Sequence, residues 1–512
     1  MCVRDGIDVQ HYEHSRFGRR EGLPQKATSR GEIACLSAIM AVGLLVRRTL
    51  LLFCCCEALG WHATAPSRPP CSLRAACRHR HLHHPSMLWN KQPAKPPPKR
   101  LPPPRPATPA TTLVRRDLWA YAGLFSFVAT IPAIEWSQLQ GGNDLVNAVR
   151  LGYFLVVAIG SVYLGVQRQD LGEASPISGR SAALAPVFAS VTLGGLYFLI
   201  KNTGLNPAVV YQGLGSFLAL VATSELLQPI IGLALAGELL TPVSEQFSDE
   251  REGEILASGS GPATAIALAI VGSYFLGPVS TGGPLSLQQF AALNNMLGWG
   301  ITMASLGVLA LESFTAAAAL LIGLFCYDAF FVFQSDVMLT VATQVEAPAK
   351  FLFAAVVEPG DTRYPFSILG LGDIVVPGAF VSLMRDVDRE GLQQAARRTR
   401  SSVAAAVDGA TFGPYFQASL SGYAFGLVTT FAANYLTKSG QPALVYIVPS
   451  LLLAAIATAF SRGEVEELFA FQSSRAAIAQ AQLEKMRAEA EAARAAEKRL
   501  KAAAKPKARA RR

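Results

Sequence analysis

From residue 118 onward the chain is a series of hydrophobic runs separated by polar breaks, at 118–135, 148–167, 181–200, 208–236, 262–282, 288–309, 314–334, 366–384, 413–436 and 441–460. Each is long enough to cross about 30 Å of hydrocarbon at about 1.5 Å per helical residue. Helices are the expected form, because backbone exposed to lipid must satisfy its own hydrogen bonds. The pattern predicts an all-α fold, a polytopic bundle of membrane helices. Two runs carry a carboxylate in their interior. Leu321–Phe333 holds Asp328, and Phe366–Phe380 reads as one apolar helix with Asp373 in its middle. An aspartate at the centre of a spanning helix costs about 2.5–3.5 kcal/mol on insertion scales. One that is kept calls for a buried partner, a wet cavity or a proton to handle.

The flanks differ from this body. Residues 1–117 form a basic, Pro-rich extension, with no acidic residue from Ala58 to Arg116 and the run Lys95-Pro-Pro-Pro-Lys-Arg-Leu-Pro-Pro-Pro104. Such a stretch is expected to be disordered, and its Arg-rich, acid-poor character also suits a targeting segment. The run 118–135 is either an extra helix or an anchor later removed. Residues 463–512 read as a basic, solvated helical tail rich in Ala, Glu, Lys and Arg. Lysine and arginine favour the cytosolic side of short loops. Arg385, Arg389, Arg397, Arg398 and Arg400 therefore place the loop after 366–384 in the cytosol together with the tail, and Gln334 to Pro365 in the lumen.

Composition narrows the chemistry. The 512 residues are 51% hydrophobic and 16% charged, well below the charged share usual in soluble domains. The net charge of +9 sits in the two tails and does not point to nucleic acid. Seven of the eight cysteines lie at or before Cys77, leaving Cys326 in the membrane body, so no disulfide framework holds that body together. All seven histidines lie at or before His84. Residues 85–512 can therefore build neither a His-Glu-x-x-His metal site nor a Ser–His dyad. Among hydrolytic mechanisms, paired carboxylates remain: one takes a proton from attacking water and the other donates to the developing oxyanion.

Two further features accompany the acids. Gly370 and Gly372 remove side chains just before Asp373 and let another backbone approach, although in a membrane helix two such glycines alone more often serve packing. Gln441-Pro442-Ala443-Leu444 opens the last run, where proline is tolerated in a first turn. Together, Tyr327-Asp328, Gly370-Leu371-Gly372-Asp373 and Pro442-Ala443-Leu444 resemble the motifs of the presenilin and signal peptide peptidase superfamily of intramembrane aspartyl proteases, in the same order. Val337–Pro348, Leu369–Gly378, Gln441–Tyr446 and Gly463–Leu468 are similar to its signal peptide peptidase branch. The likeness is dense from about 290 to 470, thin from 140 to 290, and absent from 1–117 and the last forty or so residues. Phe331 departs from the family's frequent tryptophan.

The resemblance implies a protease core of nine transmembrane helices over 148–462, with 118–135 as an additional segment. It implies Asp328 and Asp373 as the catalytic pair, with Tyr327, Gly370, Leu371, Gly372, Gln441, Pro442, Ala443 and Leu444 positioning substrate. It implies no metal or organic cofactor. The implied partners are transmembrane peptides of type II orientation, such as remnant signal peptides, within the lipid bilayer of the endoplasmic reticulum. A plastid or another endomembrane is the alternative destination, and homo-oligomerisation stays open. Two buried acids could instead relay protons in a transporter, or the chain could be a silent scaffold that binds membrane helices.

Overall fold

A computed structural model of the chain describes residues 2–3, 110–135, 142–171, 174–202, 208–241, 247–278, 282–334, 347–354, 364–399, 412–437 and 440–509. All of these fall in one compact unit made of Met1–His14 and Pro103–Arg512. The expectations of a disordered or targeting segment therefore lie outside the described residues, except at Cys2–Val3 and from Ala110 onward. So do most of Val337–Pro348 and of the lumenal stretch Gln334 to Pro365.

The helices are Ala110–Thr130 (α1), Gly142–Gln167 (α2), Gly179–Asn202 (α3), Ala208–Leu235 (α4), Asp249–Tyr274 (α5), Leu287–Val308 (α6), Phe314–Phe333 (α7), Gly372–Thr399 (α8), Pro414–Thr437 (α9), Ala443–Arg462 (α10), Val465–Ala470 (α11) and Ser474–Arg509 (α12). Among the described residues, α2, α3, α4, α5, α7 and α10 are long and apolar enough to cross a membrane by length and composition. The chain is an all-α polytopic bundle, as its hydrophobic pattern predicts. Pro229 does not break α4, which runs through it.

The strands are short: Cys2–Val3 (β1), Ser175–Ile177 (β2), Leu309–Leu311 (β3), Lys350–Ala354 (β4) and Phe366–Gly370 (β5). β2 pairs with β3 in parallel. β4 and β5 form an antiparallel pair with Lys350 opposite Gly370 and Ala354 opposite Phe366, and β1 lies antiparallel on the other edge of β5. This corrects the reading of Phe366–Phe380 as one helix. A short apolar run has no period that separates a buried strand from a helix, and here pairing with β4 selects the strand. The helix begins only at Gly372, so Asp373 stands in its first turn rather than at its middle.

The sheet survives inside a helical bundle because α6 satisfies its free edge. Asn295 accepts the Leu352 amide at 2.7 Å and donates to the Leu352 carbonyl at 2.7 Å, while Asn294 donates to the Lys350 carbonyl at 2.6 Å. Buried backbone polar groups need such partners.

α1 starts at Ala110, inside the expected extension, because Leu113, Val114 and Leu118 are already buried. Val114 and Leu118 pack with Leu233 of α4 and Ile255 of α5. Higher up, Tyr121 and Phe125 lie with ring centroids 6.5 and 5.7 Å from the Trp299 ring of α6. The extra segment is thus packed into the bundle. α5 also starts early, at Asp249, where Ser248 accepts the Arg251 amide and Asp249, Glu250 and Glu252 fill the first turn. Carboxylates there complement the helix dipole.

The loop expected after 384 is a continuation of α8 to Thr399. Arg385 is buried on it, and its guanidinium donates to the Val166 carbonyl in the last turn of α2 at 2.7 Å. The root of the tail is docked too: Arg475 donates to the Gly307 carbonyl at 2.8 Å and Ser473 to Asp386 at 3.0 Å.

Past the apolar part of α8, Asp388 caps the next helix. Its carboxylate accepts the amides of Tyr415 at 3.1 Å and Phe416 at 2.8 Å in the first turn of α9. Burial pushes this carboxyl up to about 6, with the two amides opposing the shift. A group whose pKa is raised by folding contributes stability that is complete below its unfolded pKa and is lost as pH rises through the folded value. The thermal midpoint of the wild type relative to Asp388→Asn is therefore expected to fall between about pH 4 and pH 7. A difference independent of pH over that window would show that the carboxyl is not buried in solution.

Candidate active site

Asp328 faces the interior of the bundle. It shares the buried stripe of α7 with Phe314, Ala317 and Leu321, at spacings that keep residues on one helix face, and it is 2% exposed. Its Oδ2 accepts the Leu444 amide at 3.1 Å. That contact also explains how α10 begins. Pro442 is the N-cap of α10 and offers no side-chain hydrogen bond. The first turn of a helix leaves amides without intrahelical acceptors, and an anion there is favoured by the dipole. Asp328, from a different helix, supplies that acceptor.

Asp373 is 7% exposed. It is delivered by the switch from strand to helix: Leu371 donates its amide to Ala349 beside β4, and its carbonyl accepts the amides of Ile374 and Val375 at 3.1 and 2.8 Å. The main-chain carbonyl of Asp373 accepts the hydroxyl of Tyr423, a fully buried residue of α9, at 3.1 Å. Asp328 is thus tied to α10 and the Asp373 backbone to α9, two helices that pack closely on one another and both of which also pack on α8.

The remaining sequence-derived residues take different roles. Tyr327 is half-buried, with its ring 4.8 Å from that of Phe331. Gly370 closes β5 opposite Lys350. Leu371 is buried, and its side chain reaches towards Gly298 of α6, where an added Cβ would lie 3.5 Å from Leu371 Cδ1. Gly372 is exposed, and among the described residues a Cβ added there would meet nothing within 4 Å. Gln441 is buried, donates to Thr437 at 2.9 Å and accepts the Tyr446 hydroxyl at 3.0 Å. Pro442, Ala443 and Leu444 are all buried.

Sequence reasoning missed the features that hold α9 against α10. Gly422 and Gly426 let the two backbones touch: a Cβ at Gly426 would sit 2.6 Å from the Ile447 Cα, and one at Gly422 2.8 Å from the Ser450 carbonyl oxygen. The signal was present, since two small residues four apart in an apolar run mark a close helix contact. Thr430 reinforces it, reaching the Ala443 carbonyl at 3.4 Å. Tyr423 carried no comparable signal. Among the described residues, no group of three or more His, Cys, Asp or Glu is arranged to hold a metal ion.

Comparison with known proteins locates these motifs in a larger match. A family profile described as signal peptide peptidase matches residues 169–475. A protein named signal peptide peptidase from Homo sapiens is 29% identical over 346 residues, covering 64% of this chain and 84% of that protein. Intramembrane protease 2 of Caenorhabditis elegans is 37% identical over 192 residues, 37% of this chain and 40% of that protein. Signal peptide peptidase-like 1 of Arabidopsis thaliana is 29% identical over 347 residues, 59% of this chain and 84% of that protein.

Proposed function

The chain belongs to the signal peptide peptidase family, whose profile takes in more than half of it, and on that footing we propose that it is an intramembrane aspartyl endopeptidase with Asp328 and Asp373 as its catalytic pair. The observation that carries the reading is the burial of both acids, Asp328 bonded to the first turn of α10 and the Asp373 backbone to α9, two helices in direct contact, in a chain whose histidines all lie before residue 85. One carboxylate, ionised, takes a proton from water as the water oxygen attacks the scissile carbonyl. The other, protonated, donates to the oxygen on which charge develops, and the proton is then passed to the leaving nitrogen.

A helical peptide bond is screened by its own hydrogen bonds, so the substrate must reach the pair in extended form. Two observations support such an approach. Among the described residues, open space lies at Gly372 beside Asp373. The edge of β5 leading into that site already carries an extended segment, Cys2–Val3, in antiparallel pairing. Sequence-specific strand addition on an edge of this kind draws its affinity from main-chain hydrogen bonds. Tyr327, Gly370, Leu371, Gly372 and Gln441–Leu444 frame the approach in this reading.

The basic stretch after 366–384 and the basic tail support a cytosolic face on that side, and hence substrates of type II orientation such as remnant signal peptides in the endoplasmic reticulum membrane. The reading is tested with purified protein in lipid vesicles and a type II membrane peptide. Cleavage within the apolar segment is expected, blocked by a hydroxyl-bearing mimic of the tetrahedral intermediate and unaffected by a metal chelator. Arrest by chelation alone would overturn the two-carboxylate mechanism, and proton flux without cleavage would favour a transporter.

A further inference from the structure

Pro377 lies inside α8, four residues after Asp373. In an α-helix the carbonyl of residue i accepts the amide of residue i+4. Proline has no amide hydrogen, so the ordinary donor to the Asp373 carbonyl is missing by covalent structure. Tyr423 stands where that donor would act. Its hydroxyl, on a fully buried side chain of the neighbouring helix, reaches the Asp373 carbonyl oxygen at 3.1 Å. A buried carbonyl deprived of its helical partner is costly, and the same turn of backbone carries the carboxylate on which chemistry is proposed to depend.

We infer that Tyr423 is a positioning residue that replaces the hydrogen bond Pro377 removes, and so fixes the main chain of Asp373 relative to α9. The arrangement has a mechanical consequence. An Asp373 held by its own helix would move with α8 alone. Held by Tyr423, it is tied to α9, which the Gly422 and Gly426 contacts press against α10, and α10 in turn donates the Leu444 amide to Asp328. The two acidic residues are thereby linked by a path of hydrogen bonds and close backbone contact: Asp373, Tyr423, the α9–α10 pair, Leu444, Asp328. A proline at 377 and a hydroxyl at 423 form one device: the first removes a donor to the Asp373 carbonyl and the second supplies one. Tyr423 touches the backbone of Asp373 and is not placed against reacting atoms. Its effect should therefore appear in turnover and not in substrate affinity.

The inference deepens the aspartyl-protease reading and rests on it. The test is a double-mutant cycle in full-length protein reconstituted in vesicles, with kcat and KM measured for a type II membrane peptide and thermal midpoint as the check on folding. Tyr423→Phe is expected to lower kcat about ten- to a hundredfold, the scale of a small misplacement of a reacting group, with KM within about twofold. Pro377→Ala restores an amide at position 377. Introduced into Tyr423→Phe, it is expected to recover most of the lost kcat, because the helix then supplies the donor that the phenylalanine lacks. A double variant no faster than Tyr423→Phe overturns the inference, as does a Tyr423→Phe enzyme with wild-type kcat. Should the double variant fail to accumulate, Pro377→Leu restores the same amide with a strong helix former and is read in the same way. Asp373→Asn is carried in parallel: wild-type turnover in that variant would defeat the aspartate pair itself, a result separable from any outcome at Tyr423.

Discussion

Asp328→Asn or Asp373→Asn is expected to reduce cleavage of a type II membrane peptide to background while the protein still inserts and folds. The amide is nearly isosteric with the carboxylate. At Asp328 its oxygen can still accept the Leu444 amide that starts α10, so the helix keeps its cap. What is lost is the proton. A positioned acid or base contributes about 10²–10⁴-fold to a rate. In the proposed pair each group also sets the protonation state of the other, so removing one disables both roles. The alanine variants should be equally inactive. Asp328→Ala should also lose thermal stability, since the first turn of α10 then has no acceptor from Asp328; a lost helix cap costs about 0.5–2 kcal/mol. Retained cleavage in purified, reconstituted Asp373→Asn or Asp328→Asn would remove the catalytic assignment for that residue. Binding of a transition-state mimic supplies a second readout, and it should weaken in both variants.

The second large effect is expected at a glycine, one turn along α9 from Tyr423. Gly426→Ala would place a methyl 2.6 Å from the Ile447 Cα, a backbone atom that cannot rotate away. Overpacking of this kind costs about 1–3 kcal/mol. The only relief is for α9 and α10 to part. That displaces Leu444 from Asp328 and Tyr423 from Asp373 together, so activity should fall by at least about a hundredfold. Gly123→Ala is the control, because a Cβ there meets nothing within 4 Å and its effect should be small. If Gly426→Ala turned over substrate as fast as Gly123→Ala, close contact between α9 and α10 would not be what aligns the site.

Some of this was legible along the chain and some was not, for reasons specific to each residue. Asp328 stood out because an acid in an apolar run is expensive, and that cost belongs to the residue itself. The same argument exposed Asp373 but misplaced it. Phe366–Gly370 has no period that separates strand from helix, and pairing with β4 and β1 makes it a strand. Arg385 looked like a loop charge because arginine at a membrane edge usually is one. Its burial follows from a carbonyl of α2 that lies 219 positions away in sequence. Gly422 and Gly426 were readable as a close-packing pair and were passed over, because a glycine names no partner.

The sequence by itself determined that this is a multi-pass helical membrane protein, that it carries two interior acids with no histidine beside them, and that its motifs are those of the signal peptide peptidase family. Those properties reside in local composition and spacing. The tertiary structure alone decided that Asp373 opens a helix, that Leu444 donates its amide to Asp328 across 116 positions, and that Tyr423 answers for the amide missing at Pro377. Hydrogen bonds between distant segments depend on which helices touch, and a buried donor or acceptor can be matched only once folding has chosen its neighbour.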